Sequence, residues 1–208
     1  GATSSFLLQS DDQCILLDCG SGVLSALQQH IAPESLTAVL VTHYHADHAS
    51  DIQCLQYALR IAFELKKRDQ ALTIFGPDTN SQLRSLSYDS CTAGRAITPE
   101  RPLSLGSLKF GFTWNNHQVP CLSMRIENRG RIMAYITDTA WTQNLIGVAQ
   151  GADLLICEAS LYNDQEGTVP GHLTAGQAGE LATRAGVNRL VLTHLPHFGD
   201  HGKLVEEA

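Results

Sequence analysis

The sequence predicts an α/β fold, a four-layer αββα sandwich in which two mixed β-sheets pack face to face with helices on the outer faces. Three observations carry it. Short apolar runs of strand length alternate with amphipathic segments of helical period. Strands are paired with strands before helices cover them, and the whole pattern is given twice along the chain. At 208 residues, with 43% hydrophobic and 17% charged residues, the chain is the size of one domain, residues 1–208, and no repeat, low-complexity tract or linker divides it. No apolar run approaches the roughly 20 residues needed to span a bilayer. Gly1 to Ser5 contains no basic segment leading into an apolar stretch, so a soluble, cytoplasmic protein is expected.

Taken in order, Ser4 to Gln9 and Gln13 to Asp18 read as strands joined by the turn Ser10-Asp11-Asp12, and a helix from Gly22 to His30 comes next. Thr37 to Thr42 is an apolar strand that ends in a histidine cluster. Ser50 to Arg68 places Ile52, Leu55, Leu59, Ala62 and Phe63 at helical spacing, with Ser50 or Asp51 as the N-cap and Lys66-Lys67-Arg68 favouring the negative end of the helix dipole. The pattern then restarts with a strand at Leu72 to Phe75 and a helix at Thr79 to Ser87, and Cys91 to Pro102 reads as loop. Leu108 to Trp114, Cys121 to Glu127 and Arg131 to Thr137 read as strands, the last two joined by the turn Asn128-Arg129-Gly130. Asp153 to Glu158 is a buried strand, Thr174 to Ala185 a helix, Arg189 to Thr193 a final strand, and Lys203 starts another helix.

Cys14, Cys19, Cys54, Cys91, Cys121 and Cys157 are scattered with no C-x-x-C pair, which fits buried free thiols in a reducing compartment. The net charge of −7 argues against a protein that grips long nucleic acid through phosphates and favours a small substrate. Arg125, Arg129 and Arg131 read as solvated strand charges, and His30, His197 and His201 receive no role.

The chemistry begins at His43-Tyr44-His45-Ala46-Asp47-His48, four potential metal donors within six positions at the end of an apolar strand. Side chains alternate with period two in extended backbone, so His43 and His45 project together while Asp47 and His48 turn with the loop. One short loop can thus serve two ions. Imidazole suits zinc, and carboxylate suits zinc, manganese or iron.

His-x-His-x-Asp-His at a strand end resembles the metallo-β-lactamase superfamily, and the resemblance covers nearly the whole chain. Asp18-Cys19-Gly20 resembles the aspartate-x-glycine turn of that family, with Asp18 either a plain turn residue or an acceptor behind a metal-bound imidazole. His117 is similar to its third histidine, Asp138 to its bridging aspartate and His194 to its last ligand. The resemblance implies two divalent ions, zinc by ligand type with manganese or iron as alternatives. One takes His43, His45 and His117, the other Asp47, His48 and His194, and Asp138 touches both. Members usually begin with one more strand and a glycine-rich loop and continue beyond Ala208, which implies a chain trimmed at both ends.

Two further pieces point to a branch. Cys157-Glu158-Ala159-Ser160 resembles the His-Glu-Ala-Thr box of ribonuclease Z, and Gly171-His172-Leu173-Thr174 resembles its His-Ser-Thr loop. That resemblance implies a glutamate, Glu158, orienting a histidine, His172, that protonates the leaving oxygen; with Asp47 these are the expected catalytic residues. The simpler alternative is that Glu158 ends a strand and Thr174 caps a helix. His117 and Asp138 are only 21 positions apart and two strands already fill that interval, so there is no room for the tRNA-binding arm of ribonuclease Z, nor is its Pro-x-Lys-x-Arg-Asn loop present. The chain looks more like small bacterial phosphodiesterases related to ribonuclease Z, some of which cleave cyclic nucleotides. The expected activity is hydrolysis of a small or cyclic phosphodiester by a metal-bridging hydroxide. The two ions outweigh Asp47, Asp138 and that hydroxide by one positive charge, which welcomes an anionic phosphate. The alternatives are a tRNA 3'-end endonuclease, an ester, lactone or β-lactam hydrolase, and a non-catalytic binding protein. No membrane partner is expected, and a homodimer stays open.

Overall fold

A computed structural model describes residues 3–10, 13–79 and 81–208. The twice-given pattern corresponds to two compact units, Gly1–Ile97 and Thr98–Ala208, each built on one mixed sheet. The expected turn at Asp11 and Asp12, and position 80 of the expected helix at Thr79 to Ser87, lie outside the described residues.

In the first unit β1 (Phe6–Ser10) and β2 (Gln13–Leu17) are antiparallel, and β3 (Ala38–Leu40), β4 (Leu72–Pro77) and β5 (Thr92–Ile97) continue from β2 in parallel, in the order β1-β2-β3-β4-β5. The inner parallel strands β3 and β4 are largely buried on both faces, which is why they read as continuous hydrophobic runs. Leu16, Val39 and Ile74 form a core with Val23 and Leu27 of α1 (Val23–Leu27) and with Ile52, Leu55 and Leu59 of α3 (Ile52–Glu64), while Ile15, Leu17 and Leu40 on the opposite face are equally buried. A single turn of helix, α2 (Ala46–Ala49), lies between β3 and α3.

Three sequence expectations are corrected in the first unit. Neither Ser50 nor Asp51 caps α3 with its side chain; Asp51 stands at the N-cap position, but its Oδ2 accepts the Leu24 N–H at 2.9 Å and so caps α1 instead. Lys66-Lys67-Arg68 lies beyond the last turn. Lys66 adopts φ 55°, its N–H donating to Phe63 O and that of Lys67 to Ala62 O, a Schellman closure, and the Arg68 guanidinium donates to the carbonyls of Glu34 and Leu36 at 2.8 and 2.7 Å. The expected loop from Cys91 to Pro102 contains β5, an edge strand whose Thr-Ala-Gly-Arg composition hides it. Gly94 is needed there because a Cβ would stand 2.6 Å from Leu83 O, under α4 (Ser81–Ser85).

The second sheet runs β11-β10-β9-β8-β7-β6, with β6 (Leu103–Leu105), β7 (Leu108–Trp114), β8 (Leu122–Asn128) and β9 (Arg131–Ile136) antiparallel and β9, β10 (Leu154–Glu158) and β11 (Leu190–Thr193) parallel. Asn128 pairs with Arg131, and Arg129 and Gly130 at φ 49° and 78° make the two-residue hairpin turn that strand twist favours. Ala134, Ile136, Leu155 and Cys157 pack on α5 (Asn144–Ala149) and α6 (Ala175–Arg184). Sequence reading missed β6 and α5, which are too short to display a period. Arg125 is not a merely solvated charge: its Nη1 donates to Val148 O and Gln150 O at 3.0 and 2.8 Å, closing the end of α5. Thr174 caps α6, its hydroxyl accepting the Gln177 N–H while Gln177 Oε1 accepts the Thr174 N–H. The last helix, α7 (His201–Glu207), buries Leu204 among Ala159, Tyr162 and Ala175, and Glu207 accepts the Asn163 N–H at 2.8 Å. Among the described residues no helix is long and apolar enough to cross a membrane. All six cysteines are free; Cys54 is exposed and Cys14 half-buried, which corrects the expectation of uniformly buried thiols.

Because Asp51 caps α1, Asp51→Ala should lower stability by about 1 kcal/mol, read from the midpoint of urea unfolding. An unchanged midpoint would contradict that cap.

Candidate metal centre

In the first unit the candidate donors come directly after β3. His43 is wholly buried, and its Nε2 lies 3.1 Å from His45 Nδ1, the projection expected of an extended pair. His45 takes the extended N-cap position of α2, whose turn carries Asp47 and His48; His48 Nε2 lies 3.3 Å from Asp47 Oδ2. Behind them, at the end of β2, Asp18 is fully buried with φ 58°. It is both a turn residue and an acceptor. Its carboxylate takes the Thr42 N–H at 2.7 Å, the Thr42 hydroxyl at 2.9 Å and the His48 Nδ1 at 3.0 Å. A carboxylate only accepts, so Thr42 Oγ donates to Asp18 and accepts from His43 Nδ1 at 3.1 Å. Asp18 thereby fixes the tautomers of two histidines, one directly and one through Thr42, leaving each Nε2 as an acceptor. Thr42 is a residue that sequence reasoning missed.

In the second unit, three ligand candidates and Glu158 come from the loop after β7 and from the adjoining ends of β9, β10 and β11, while His172 comes from the loop before α6. His117 has its Nδ1 on Gly171 O at 3.1 Å, which aims Nε2 at Asp138 Oδ2, 3.8 Å away. Gly171 has φ 85°, and a Cβ there would meet His117 Nδ1 at 2.8 Å, so both backbone and space require glycine. Asp138 is 2% exposed and lies just past β9; Thr137 Oγ donates to its Oδ1 at 3.1 Å, while Oδ2 also lies 3.5 Å from His194 Nε2. One carboxylate oxygen therefore lies within 3.8 Å of both imidazoles, which the family resemblance assigns to different ions. Glu158, at the end of β10, is wholly buried, accepts the Thr139 N–H at 2.7 Å, and has both oxygens 3.3 Å from His172 Nδ1. The ring of His172 stacks on His194 with centroids 5.6 Å apart. Burial alone pulls the His172 pKa down, but the hydrogen bond and charge of Glu158, with Asp138 behind, outweigh it, and the net shift is upward. Ser160, quoted in the sequence only as part of a box, has its Oγ 2.7 Å from His194 Nδ1 and hydrogen-bonded to Glu158. Cys157, where the box of ribonuclease Z has histidine, packs wholly buried against the helices; burial and then the Glu158 charge push its thiol up, so it stays protonated.

The donor set fits a divalent metal. Two nitrogens on one tetrahedral zinc, at bond lengths of about 2.0–2.1 Å, stand about 3.3 Å apart, close to the His43–His45 and His48–Asp47 separations of 3.1 and 3.3 Å. All the donors are nitrogen and oxygen, which suits zinc, manganese or iron over softer ions.

Residues 13–195 match the family described as Beta-lactamase superfamily domain. The chain belongs to this superfamily, in its ribonuclease Z-like branch, and has the metallo-β-lactamase fold with two mixed sheets. It is 42% identical over its whole length to the probable metallo-hydrolase YhfI of Bacillus subtilis, covering 85% of that protein, and superimposes on the YhfI crystal structure with a TM-score of 0.96 over 99% of this chain and 84% of that one. It is 27% identical to a ribonuclease Z of Mycolicibacterium gilvum, over 93% of this chain and 78% of that protein. A diphosphatase from the PhnP family shares the fold at 18% identity, with a TM-score of 0.80 over 100% of this chain and 78% of the other.

The aspartate-x-glycine turn has a mechanical basis as well. A Cβ on Gly20 would stand 1.8 Å from Asp47 O, and the Cys19 N–H donates to His48 O at 2.8 Å. Gly20→Ala should therefore displace the backbone of Asp47 and cost about 1–3 kcal/mol. Thermal and urea unfolding are the measurements, and parent-like stability would remove the assigned packing.

Proposed function

We propose that this superfamily member is a metal-dependent hydrolase that cleaves a small or cyclic phosphodiester. The observation that carries the reading is the protonatable His172, held by Glu158 and stacked on His194 beside Asp138. On the family pattern, His43, His45 and His117 would hold one ion and Asp47, His48 and His194 the other, with Asp138 available to both. Two divalent ions, when bound, supply Lewis acidity toward a phosphoryl oxygen and a hydrolytic nucleophile at neutral pH.

The protein's own residues do the rest. Asp18, Thr42 and the Gly171 carbonyl hold the rings of His48, His43 and His117, so the donors need little reorganisation. Asp47 and Asp138 contribute the negative charge that balances the ions. His172 keeps its Nδ1 proton on Glu158 and gives its Nε2 proton to the departing oxygen, so that the alkoxide leaves as an alcohol. Such proton transfer contributes typically about 100- to 10,000-fold.

Three observations support this substrate class. The His117 to Asp138 interval is taken up by β8, β9 and a two-residue turn, which leaves no inserted arm. The net charge is −7. A relative is named ribonuclease Z, and ribonucleases act on phosphodiesters, which supports that bond class over an ester or β-lactam.

His172→Ala should keep its metal and lose about 100-fold or more of turnover on diesters with poor leaving groups, the loss shrinking as the leaving group improves. Equal turnover by mutant and parent on a poor leaving group would remove its role. Asp138→Ala should lower metal content, and two ions retained per chain would count against the shared carboxylate. A panel of cyclic nucleotide, linear diester, tRNA precursor and β-lactam separates the substrate classes. Turnover of the β-lactam alone would overturn the reading.

A further inference from the structure

Ser160 makes three contacts that its single hydroxyl can satisfy in only one way. Its Oγ is hydrogen-bonded to Glu158 Oε2, lies 2.7 Å from His194 Nδ1 and 3.2 Å from His172 Nδ1. A hydroxyl has one proton and two lone pairs, whereas an ionised carboxylate only accepts. Glu158 is wholly buried and surrounded by donors, the N–H groups of Thr139 and Ser160 among them, so the serine proton goes to Glu158. Oγ then accepts from His194, which carries its proton on Nδ1, while the Nδ1 proton of His172 goes to Glu158 and is at most shared with Oγ, 3.2 Å away. For His194 this leaves Nε2 as a lone pair, the atom that faces Asp138 Oδ2 at 3.5 Å. The first unit repeats the device: Thr42 donates to Asp18 and accepts from His43.

We propose that Ser160 is a positioning residue that locks His194 in its Nδ1-protonated form and ties it, through Glu158, to His172. This rests on the reading of His194 as a metal donor and His172 as the acid. Its consequence is that one hydroxyl governs both metal retention and proton delivery, although it touches neither an ion nor the reacting atoms. Glu158 thereby serves two histidines, as Asp18 does.

The test compares the purified parent with Ser160→Ala, Ser160→Thr and His172→Ala. Loss of a group that orients a metal-bound histidine typically weakens affinity or activity by about 10- to 100-fold. Ser160→Ala should release metal to a graded chelator at correspondingly lower concentration, Ser160→Thr should restore parent-like retention because it returns the hydroxyl, and His172→Ala should retain metal like the parent. In turnover, Ser160→Ala combined with His172→Ala should lose less than the product of the single losses. Parent-like metal retention by Ser160→Ala overturns the proposal, as does failure of Ser160→Thr to restore it. Should Ser160→Ala not fold, nitrogen-15 NMR of the histidine rings in the metal-free parent decides independently: Nδ1–H on His194 supports the assignment and Nε2–H overturns it. A parent that holds no metal or cleaves no phosphodiester sinks the functional reading instead, and the tautomer measurement still stands.

Discussion

Asp18 has no exposed surface, and moving a carboxylate out of water costs several kcal/mol unless donors replace its hydration. The backbone N–H and hydroxyl of Thr42 and the ring of His48 are those donors, and they belong to the segment that carries the candidate ligands. Satisfying the charge and aiming the imidazoles are thus one event. Glu158 makes the same demand in the second unit, met by Thr139, Ser160 and His172. Each buried acid turns its need for donors into fixed ring orientations, so much of the geometry that a metal requires comes with folding.

The sheets bring these residues to the right place. In a parallel ladder neighbouring strands finish at the same edge, and polar groups beyond their carboxyl ends converge there. Asp18 and the His43 segment lie just past β2 and β3, which run parallel with Leu17 opposite Leu40. Glu158 ends β10 opposite Thr193 of β11, just before His194, while Cys157 is opposite Ile136 of β9, two residues before Asp138. The antiparallel hairpins at the other side of each sheet contribute apolar packing and, in the loop after β7, His117.

His117, Asp138 and His194 stand alone in the sequence and came only from the family resemblance. The fold class and the His43 to His48 cluster were legible because both are written in local pattern: continuous apolar strands, a helix with Ile52, Leu55 and Leu59 in step, and a dense run of donors. β5 was not, since an edge strand carrying Gly94 and Arg95 owes its place to pairing with β4 and to the close approach of Leu83. The short β6 and α5 lack enough residues to show a period. Asp51 misled for a different reason. Its type suits a cap, but which helix it caps depends on α1 lying beside it. Thr42 and Ser160 are common residues in strand and loop positions, and only their distances to a buried carboxylate and an imidazole distinguish them.

His194 sits at φ 53°, a left-handed conformation that costs a non-glycine residue about 1–2 kcal/mol. The chain beyond His194 is anchored: Tyr162 donates to Phe198 O at 3.2 Å, Lys203 lies over the Tyr162 ring, and Leu204 of α7 is buried beside Ala159, next to Glu158 and Ser160. α7 is therefore a clasp. It supplies no donor, yet it anchors the chain that leaves His194 against Ala159, the residue between Glu158 and Ser160. A helix that contributes no candidate ligand is thus packed against the segment that carries Glu158 and Ser160.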